Sequence, residues 1–414
     1  MAGDRDRETR RDEIYHDFRQ IDFPIIDADA HVQEPPDLWQ SRVPAALRSR
    51  APRVEHTEHG DFWVFDDGKV RQPVALTVAA GLSFLDFQPF GRKYEEIRPG
   101  TFDPQARLRD MEIDGIYAQV LYPSVTLLGA KTYSEDRELQ LACVRAYNEW
   151  LCEFCDGSDG RLIPQAILPT TGLEDSLAEL RWAIDHGMRG AVISRMPSGE
   201  FEYSAADDPF FALCEEAGMP VVVHIGSFLR PNPAEMKRGW NELGFLGSAG
   251  AIKAGSHTLP VASDLLFSGM FDKFPELALV LVEANIGWIP TLLEQTDDMF
   301  YRFRFFTGAP DKMKGMPSEV FHRHFWATFM MDSVGVELRH RLNLDHIMWS
   351  TDFPHSGSDW PNSRRTLDRL FQGVPMAEVH KMLHANVKRL YRLDHIPETL
   401  PRGGRLRAEA TATA

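Results

Sequence analysis

Short apolar runs rich in β-branched residues alternate with longer amphipathic stretches along almost the whole chain, and this alternation constrains the fold most. Eight candidate strands occur, at residues 24–32, 116–122, 162–168, 190–194, 220–225, 277–284, 325–329 and 346–350. Helical patterns lie between them, and Gly or Pro marks several helix-to-strand joints. Strands that alternate with helices imply a parallel sheet. Eight of them within 414 residues predict an α/β fold, a (β/α)8 TIM barrel.

Two insertions and two tails depart from this pattern. Residues 33–100 follow strand one and contain FWVFDDGKV, a predicted hairpin with Asp67-Gly68 as its turn, and residues 226–258 follow strand five. Insertions after barrel strands shape substrate pockets. We expect a charged N-terminal tail at residues 1–20, a barrel domain at 21–396 and a C-terminal tail at 397–414. The last is either disordered or an arm on a partner subunit.

Composition and charge exclude several classes of protein. The formal net charge of −16 argues against a nucleic-acid or anionic-membrane partner. Four cysteines are too few for a disulfide framework, and the C-x-x-C at Cys152 and Cys155 lies in a predicted helix without the second pair of a zinc ribbon. The first twenty residues lack the apolar core of a signal peptide, and no apolar run approaches the ~20 residues of a membrane span. These features predict a cytoplasmic enzyme that acts on a small molecule.

Strand one, FPIIDADAHV, carries the first candidate site residues. Asp29 and His31 are two apart, so on a regular strand they project to the same face, at its C-terminal end. A carboxylate and an imidazole are costly to bury there unless they are paired or bind a metal. Asp27 is expected on that same face and is a rival to Asp29. The alternative is that one of the aspartates caps a turn and His31 is a hydrogen-bonded structural residue.

The ends of strands five and eight carry similar residues. His224 follows the apolar run PVVV, and Asp352 follows HIMWST. A single histidine in such a position is often structural, but the C-terminal ends of barrel strands one, five and eight meet at the barrel mouth. Together with Asp29 and His31, these side chains predict a metal site. Nitrogen and oxygen ligands of this kind suit Zn²⁺ or Mn²⁺, and also Fe²⁺.

Four motifs spread along residues 22–395 carry a family resemblance: DADAHVQEPPDLW, MPVVVHIG, GMFDKFPELALVLVEANIGWIP and IMWSTDFPH. With them the chain resembles the amidohydrolase-related family. This branch of the metal-dependent amidohydrolase superfamily includes aminocarboxymuconate semialdehyde decarboxylase and the resorcylate and carboxyvanillate decarboxylases. Its first motif is H-x-H or E-x-H, so Asp29 replaces the first ligand conservatively. The strand-five His corresponds to His224 and the strand-eight Asp to Asp352.

The resemblance also implies the number of metal ions. Binuclear members of the superfamily bridge two ions with a carbamylated Lys at the end of strand four, where this chain reads GAVISRM. We therefore expect one divalent ion, with Zn²⁺ preferred and Mn²⁺ or Fe²⁺ as alternatives. Arg195, in place of the Lys, is expected to face an anionic substrate group or to pair with a local acid. Relatives tend to be homodimers, so a homodimer is expected.

One motif departs from the family pattern. Many relatives have a proton-transferring His after strand six, in H-x-G-G, but this chain has Glu283-Ala284-Asn285. Glu283 is therefore a candidate acid or base, an orienting partner of a metal ligand, or a structural hydrogen-bonding group. His355 and His257 are other acid–base candidates, and we rank His355 higher because it is close in sequence to Asp352.

Two chemistries fit this ligand set. In a non-oxidative decarboxylase of a small aromatic or unsaturated acid, Glu283 or His355 would protonate the carbon that loses CO2. In a hydrolase of an ester, amide or lactone, Asp352 would take a proton from a metal-bound water. We expect decarboxylation, with Trp39, Phe228, Arg195 and His257 near the substrate. A barrel that only binds a small molecule is the third hypothesis, and four plausible ligands argue against it.

Overall fold

The computed structural model describes residues 18, 21–83, 86–88, 90–126, 129–228, 256–308, 311 and 313–400. Its strands, in chain order, are β1 (Ile26–Val32), β2 (Arg53–Thr57), β3 (Gly60–Phe65), β4 (Val70–Pro73), β5 (Ala118–Pro123), β6 (Leu162–Pro164), β7 (Ala166–Ile167), β8 (Ala191–Val192), β9 (Val221–His224), β10 (Leu279–Val282), β11 (Phe325–Phe329) and β12 (Ile347–Trp349). Apart from β2, β3 and β4, these strands lie within the eight predicted segments, except that β5 extends one residue further, to Pro123. The predicted α/β class is confirmed.

The barrel consists of parallel strands in two ladders. One has the order β1-β5-β6 and the other runs from β7 through β8, β9, β10 and β11 to β12. Gln165 alone separates β6 from β7, so these two strands make up the predicted third barrel strand. The two ladders also meet where the end of the last strand reaches the first strand. There His31 N donates to Phe353 O over 2.6 Å and Asp352 N donates to Asp29 O over 2.9 Å. These two junctions bring all eight strand segments around one axis, as in a (β/α)8 barrel.

The helices follow the strands. They are α1 (Leu38–Arg42), α2 (Pro104–Asp114), α3 (Arg137–Cys155), α4 (Leu173–Asp185), α5 (Asp208–Ala217), α6 (Thr258–Leu266), α7 (Ile289–Thr307), α8 (Pro317–His324), α9 (Ser333–Glu337), α10 (Ser363–Leu370), α11 (Met376–His380) and α12 (Asn386–Leu390). The Asp103 side chain caps α2 by accepting from Ala106 N, and Gly115 ends that helix with a left-handed backbone. No helix in the described ranges has the length and apolar character that crossing a membrane requires.

The apolar core has two layers. Inside the barrel, alternate residues of the strands pack together, among them Ile26, Ala28, Val120, Val222 and Val280. The second and larger layer lies between the outer face of the strands and the helices. This arrangement leaves the C-terminal ends of the strands as the place where polar side chains converge.

The first insertion has its predicted hairpin. Strands β2, β3 and β4 form an antiparallel sheet, and residues 66–68 form a short 3-10 turn between β3 and β4. Its Trp63 packs against Trp39 of α1, with ring centroids 5.4 Å apart. Most of the predicted second insertion, residues 229–255, lies outside the described residues, as do residues 1–17, 19–20 and 401–414 of the predicted tails.

Candidate metal centre

A β-bulge in β1 decides which of its acidic side chains faces the inside of the barrel. Asp27 pairs with Gln119 of β5, but the next pair along is Ala30 with Leu121, so β1 has one extra residue there. An extra residue reverses the alternation of side chains beyond it. Asp27 and Asp29 therefore point to opposite faces, and the prediction that they share one is wrong.

The hydrogen bonds of the two carboxylates differ accordingly. Asp27 accepts hydrogen bonds from Thr351 N at 2.8 Å, from Gln119 Nε2 at 2.9 Å and from the Thr351 hydroxyl. Burial raises the pKa of Asp27 to about 7, against the effect of these hydrogen bonds. Both oxygens of Asp29 are buried without a hydrogen-bond partner. Asp27 is thus a structural group, and Asp29 is the carboxylate free to bind an ion.

Two other elements bring His224 and Asp352 to Asp29. His224 is the last residue of β9, and its Nε2 lies 3.5 Å from Asp29 Oδ1. Asp352 comes shortly after β12 and has a left-handed backbone with φ of 55°. This conformation is costly for a residue other than glycine and is found where a functional side chain must be aimed. His31 Nε2 lies 3.3 Å from both Asp29 Oδ1 and Asp352 Oδ1.

These four side chains fit a divalent cation. Asp29 Oδ1 and Oδ2, His31 Nε2 and His224 Nε2 are buried without a hydrogen-bond partner. Buried polar atoms are normally satisfied, and a cation would satisfy these. Ligand atoms of Asp29, His31 and His224 lie within 4.8 Å of one another, and Asp352 Oδ1 lies 3.3 Å from His31 Nε2. His31 Nδ1 lies 2.9 Å from Pro123 O, which can only accept, so in the neutral ring the proton is on Nδ1 and the Nε2 lone pair faces the centre.

Opposing effects set the charges of the group in the absence of a cation. Burial disfavours ionisation, but His224 and His31 outweigh it and hold the pKa of Asp29 below its usual range. Likewise, burial would lower the pKa of His31, but Asp29 and Asp352 raise it well above the ordinary value. The two carboxylates therefore stabilise a positive charge beside them. A divalent ion would supply such a charge.

Glu283 faces the same centre from the end of β10. Its Oε2 lies 4.0 Å from His224 Nδ1. The carboxyl group also has an oxygen within 4.8 Å of ligand atoms of His31 and Asp352. The backbone of Glu283 is left-handed, with φ of 57°, and its amide donates to Thr328 Oγ1 over 2.8 Å. Burial, and then the charges of Asp352 and Asp29, raise the pKa of Glu283 well above its usual range. The raised pKa makes Glu283 a candidate proton donor.

His355 lies on the other side of Asp352. Its Nδ1 is 2.8 Å from Asp352 Oδ1, its ring stacks on that of His31 with centroids 3.8 Å apart, and its Nε2 lies 3.2 Å from Ser124 Oγ. Burial, and then the charge of His31, lower the pKa of His355. With Asp352 on one ring nitrogen and Ser124 on the other, His355 is placed to pass on a proton.

The four predicted substrate residues are not all close to this centre. Phe228 is buried, has φ of 61°, and its amide donates to Ser194 O over 2.9 Å. Arg195 stacks on Phe201 at 4.7 Å and makes no ion pair with any described residue. His257 is half-buried just before α6, and its Nε2 has no hydrogen-bond partner among the described residues. Trp39 lies in the core, where its Nε1 donates to Cys143 O over 3.2 Å.

A small cavity of about 10 Å³ lies beside His224. Its lining is mostly apolar with a few hydroxyl groups, and includes Tyr122, Thr126, Gly129, Ile167, Ser194 and Ser227. Sequence reasoning missed these residues, together with Ser124 and the buried Glu34. The available signal was that several of them lie at or soon after the ends of barrel strands, as in YPSVT at the end of strand two.

The comparisons with known proteins identify the family of the chain. Residues 26–393 match the model of a family described as amidohydrolase. A curated relative, the 2-amino-3-carboxymuconate-6-semialdehyde decarboxylase of Dictyostelium discoideum, is 25% identical over 271 residues, which are 64% of this chain and 70% of the relative.

Solved structures share the fold. An amidohydrolase from Mycobacterium avium subsp. paratuberculosis K-10 has a TM-score of 0.72 at 18% identity, over 89% of this chain and 99% of its own. A dihydroxybenzoic acid decarboxylase from Polaromonas sp. JS666, with bound manganese and the inhibitor 2-nitroresorcinol, has a TM-score of 0.58 at 18% identity, over 90% and 97%. Because the family model spans most of the chain and the barrel matches these structures, the protein belongs to the amidohydrolase family.

Proposed function

We propose that this chain is a metal-dependent carboxy-lyase, a non-oxidative decarboxylase of a small aromatic or unsaturated acid. Asp29, His31, His224 and Asp352 would hold one divalent ion. The observation that carries this proposal is the cluster of buried ligand atoms of Asp29, His31 and His224 without a hydrogen-bond partner, with Asp352 Oδ1 3.3 Å from His31 Nε2. The named relatives that decarboxylate carboxymuconate semialdehyde and dihydroxybenzoic acid support the reaction type.

The cation would bind the substrate carboxylate and hold the negative charge that develops as CO2 leaves. When the C–CO2 bond breaks, its electron pair stays on the carbon, which must then take up a proton. Glu283 is our first candidate for the donor, because its carboxyl group faces the centre and its pKa is raised, which favours the protonated form. His355 is the alternative donor, in contact with Asp352.

An acidic substrate also fits the charges near the pocket. Lys131 follows the pocket residue Ala130, and Arg195 follows Ser194. Burial, and then the charge of Arg195, lower the pKa of Lys131, so the two cations lie close to each other. Two neighbouring cations beside an otherwise uncharged pocket would attract a carboxylate.

Hydrolysis is the second candidate function, and one contact favours it. The pKa of Asp352 is lowered because His355 and His31 outweigh its burial, so the carboxylate is ionised. An ionised Asp352 beside the cation could take a proton from water during attack on an ester, amide or lactone.

We propose Zn²⁺ as the ion, with Mn²⁺ or Fe²⁺ as alternatives. Two imidazoles and two carboxylates suit Zn²⁺, whereas the Polaromonas decarboxylase contains manganese. One ion is proposed rather than a bridged pair, because β8 leads into Arg195 and not into a lysine that could be carbamylated. Metal analysis of the purified protein, with reconstitution by each ion, tests this choice.

We propose a homodimer formed through the C-terminal half of α7. Tyr301, Phe305 and Phe306 are 66%, 81% and 92% exposed, an apolar surface that is unusual in a monomer. A second copy is the partner that the same surface on each subunit would suit. Sedimentation of the purified chain tests it: a Phe305→Ser, Phe306→Ser variant should shift from dimer to monomer. A monomeric wild type would contradict it.

The four cysteines are free, and a reducing compartment such as the cytoplasm is the location we propose. Fractionation of cells that express the tagged chain tests this proposal.

A screen of hydroxybenzoates and aryl esters decides the reaction. CO2 release from a hydroxyaryl acid, dependent on added metal and lost in His224→Ala, would support the carboxy-lyase. Clean cleavage of an ester or amide without CO2 would support the hydrolase. If neither class reacts and no ion is retained, the enzyme proposal fails.

A further inference from the structure

A second group of ion-binding side chains lies at the opposite end of the barrel from the candidate metal centre. His380, at the end of α11, and His384, four residues later, place a ligand atom each within 4.8 Å of one from Glu398. Glu398 belongs to the segment that follows α12. The site lies beside Pro24, which precedes β1, whereas Asp29 and His31 lie toward the other end of that strand.

His384 has the protonation state that a metal ligand needs. Its ring is fully buried, and Nδ1 lies 2.8 Å from Pro24 O. A carbonyl can only accept a hydrogen bond, so Nδ1 carries the proton and Nε2 presents a lone pair. Metal-binding histidines are commonly fixed by such a bond from the other ring nitrogen.

The lone pair of His384 Nε2 has no hydrogen-bond partner. It points toward Glu398, whose Oε2 is 3.4 Å away. An unprotonated nitrogen and a carboxylate oxygen are both acceptors, so neither satisfies the other. A cation between them would satisfy both. A bound water or a proton shared between the two atoms would be the alternative to a cation.

The local backbone brings the second imidazole into place. Histidines four residues apart lie on the same side of a helix, a spacing used for zinc ligands. Here residues Lys381–Ala385 form a π-helical turn, and the ring centroids of His380 and His384 are 5.0 Å apart. Such turns often occur at functional sites. The ring of Phe23 packs edge-on against His380 at 4.7 Å and limits its orientation.

We propose that His380, His384 and Glu398 form a second cation site that binds Zn²⁺ or a similar divalent ion. The bound ion would connect the C-terminal segment to the start of the barrel. Two imidazoles and a carboxylate are a known zinc ligand set, with water completing the four-coordinate shell. Lys388 Nζ contacts Glu398 Oε1 at 2.5 Å, which leaves Oε2 for the ion. The nearby ammonium charge makes this site weaker than the barrel site.

An ion at this place would join three parts of the chain. His384 already binds Pro24 O, and Leu400 N donates to Asp22 O over 2.6 Å, so residues 22–24 and 398–400 run side by side. The ion would add the last helices to that contact. Its role would be structural, because the reacting centre is at the other end of β1.

The test counts ions. The full chain is stripped with a chelator, refilled with Zn²⁺, freed of unbound metal and analysed. His380→Ala and Glu398→Gln, which alter less buried positions than His384, should each retain one ion fewer per chain than wild type. His59→Ala, another exposed histidine 3.5 Å from a glutamate, Glu58, but without a second histidine, should retain the wild-type number. Circular dichroism verifies that each variant is folded.

The difference between variant and wild type decides the matter, whatever the barrel centre binds. Equal ion counts in wild type, His380→Ala and Glu398→Gln would overturn the proposal. Co²⁺ provides a second readout: the visible absorption of the refilled wild type should exceed that of Glu398→Gln. Identical spectra would also overturn it. His224→Ala should lose a different ion, so the double variant His224→Ala, His380→Ala should lose both.

Discussion

The amide of Asp352 donates a hydrogen bond to the carbonyl of Asp29 over 2.9 Å, which joins the end of the last barrel strand to the first. The two residues are more than 300 positions apart in the chain, yet this seam sets their carboxylates on either side of His31 Nε2. The contact that closes the barrel here therefore also positions the candidate metal centre. Variants of the four proposed ligands should affect ion binding and reaction together.

Replacing His224 with alanine should remove the ion from the barrel centre. Loss of an outer partner of a metal ligand typically costs 10–100-fold, so loss of a ligand itself should reduce activity by about 100-fold or more. The measurements are ions per chain and turnover of the substrate found in the screen. His186→Ala, at an exposed histidine on the surface, is the control and should change neither. Retention of the full ion count in His224→Ala would contradict the ligand assignment.

Asp27 and Asp29 should respond differently to the same change. Asp29→Asn removes a charged ligand with two unpartnered oxygens, so the ion should be lost with little disturbance of the fold. Asp27→Asn instead disturbs the hydrogen bonds from Thr351 and Gln119, and should lower the free energy of unfolding by about 1–3 kcal/mol while the ion is retained. Chemical denaturation and metal analysis distinguish them. The reverse pattern would show that the bulge in β1 is misassigned.

Glu283→Gln should separate proton transfer from ion binding. The amide keeps the size of the side chain but cannot give up a proton, so turnover should fall by about 10²–10⁴-fold. The ion count should stay at the wild-type value, because Glu283 is outside the proposed ligand set. His355→Gln is the matched comparison. If it reduces turnover and Glu283→Gln does not, His355 is the proton donor.

Gly129 should control access to the pocket beside His224. Its φ is +93°, and a Cβ there would lie 1.9 Å from Ser194 Oγ. Gly129→Ala should therefore push Ser194 into the pocket and raise KM for the substrate. Gly91→Ala is a close control, because its φ is +86° and a Cβ there meets nothing within 4 Å. An equal effect of both variants on KM would mean that backbone strain, and not the pocket, is responsible.

Stability should fall as the pH is lowered from about 6.5 toward 4, partly because of His346. Its ring stacks on Trp326 with centroids 4.0 Å apart, and burial lowers its pKa to about 4. In this pH range the unfolded chain binds a proton at His346 and the folded chain does not, so acid favours unfolding. His346→Gln should reduce the loss of Tm between pH 6.5 and 4.5. An unchanged pH dependence would contradict the assigned shift.

The sequence alone determined the order of strands and helices. It also showed that polar candidate residues lie at the C-terminal ends of barrel strands. Apolar runs bounded by glycine and proline predicted all eight barrel strands, and His224 and Asp352 were identified because each follows such a run. These are local properties, since periodicity and turn residues act over a few positions.

Only the tertiary structure decided which of these residues meet. The bulge in β1 depends on pairing with β5, so no pattern in β1 itself could show that Asp27 turns away from Asp29. The left-handed backbones of Glu283 and Asp352 are likewise held by contacts with neighbouring strands. Trp39 was expected near the substrate but lies in the core, because the hairpin sheet after β1 covers it. Pairing between distant strands sets side-chain direction, and that information is not local.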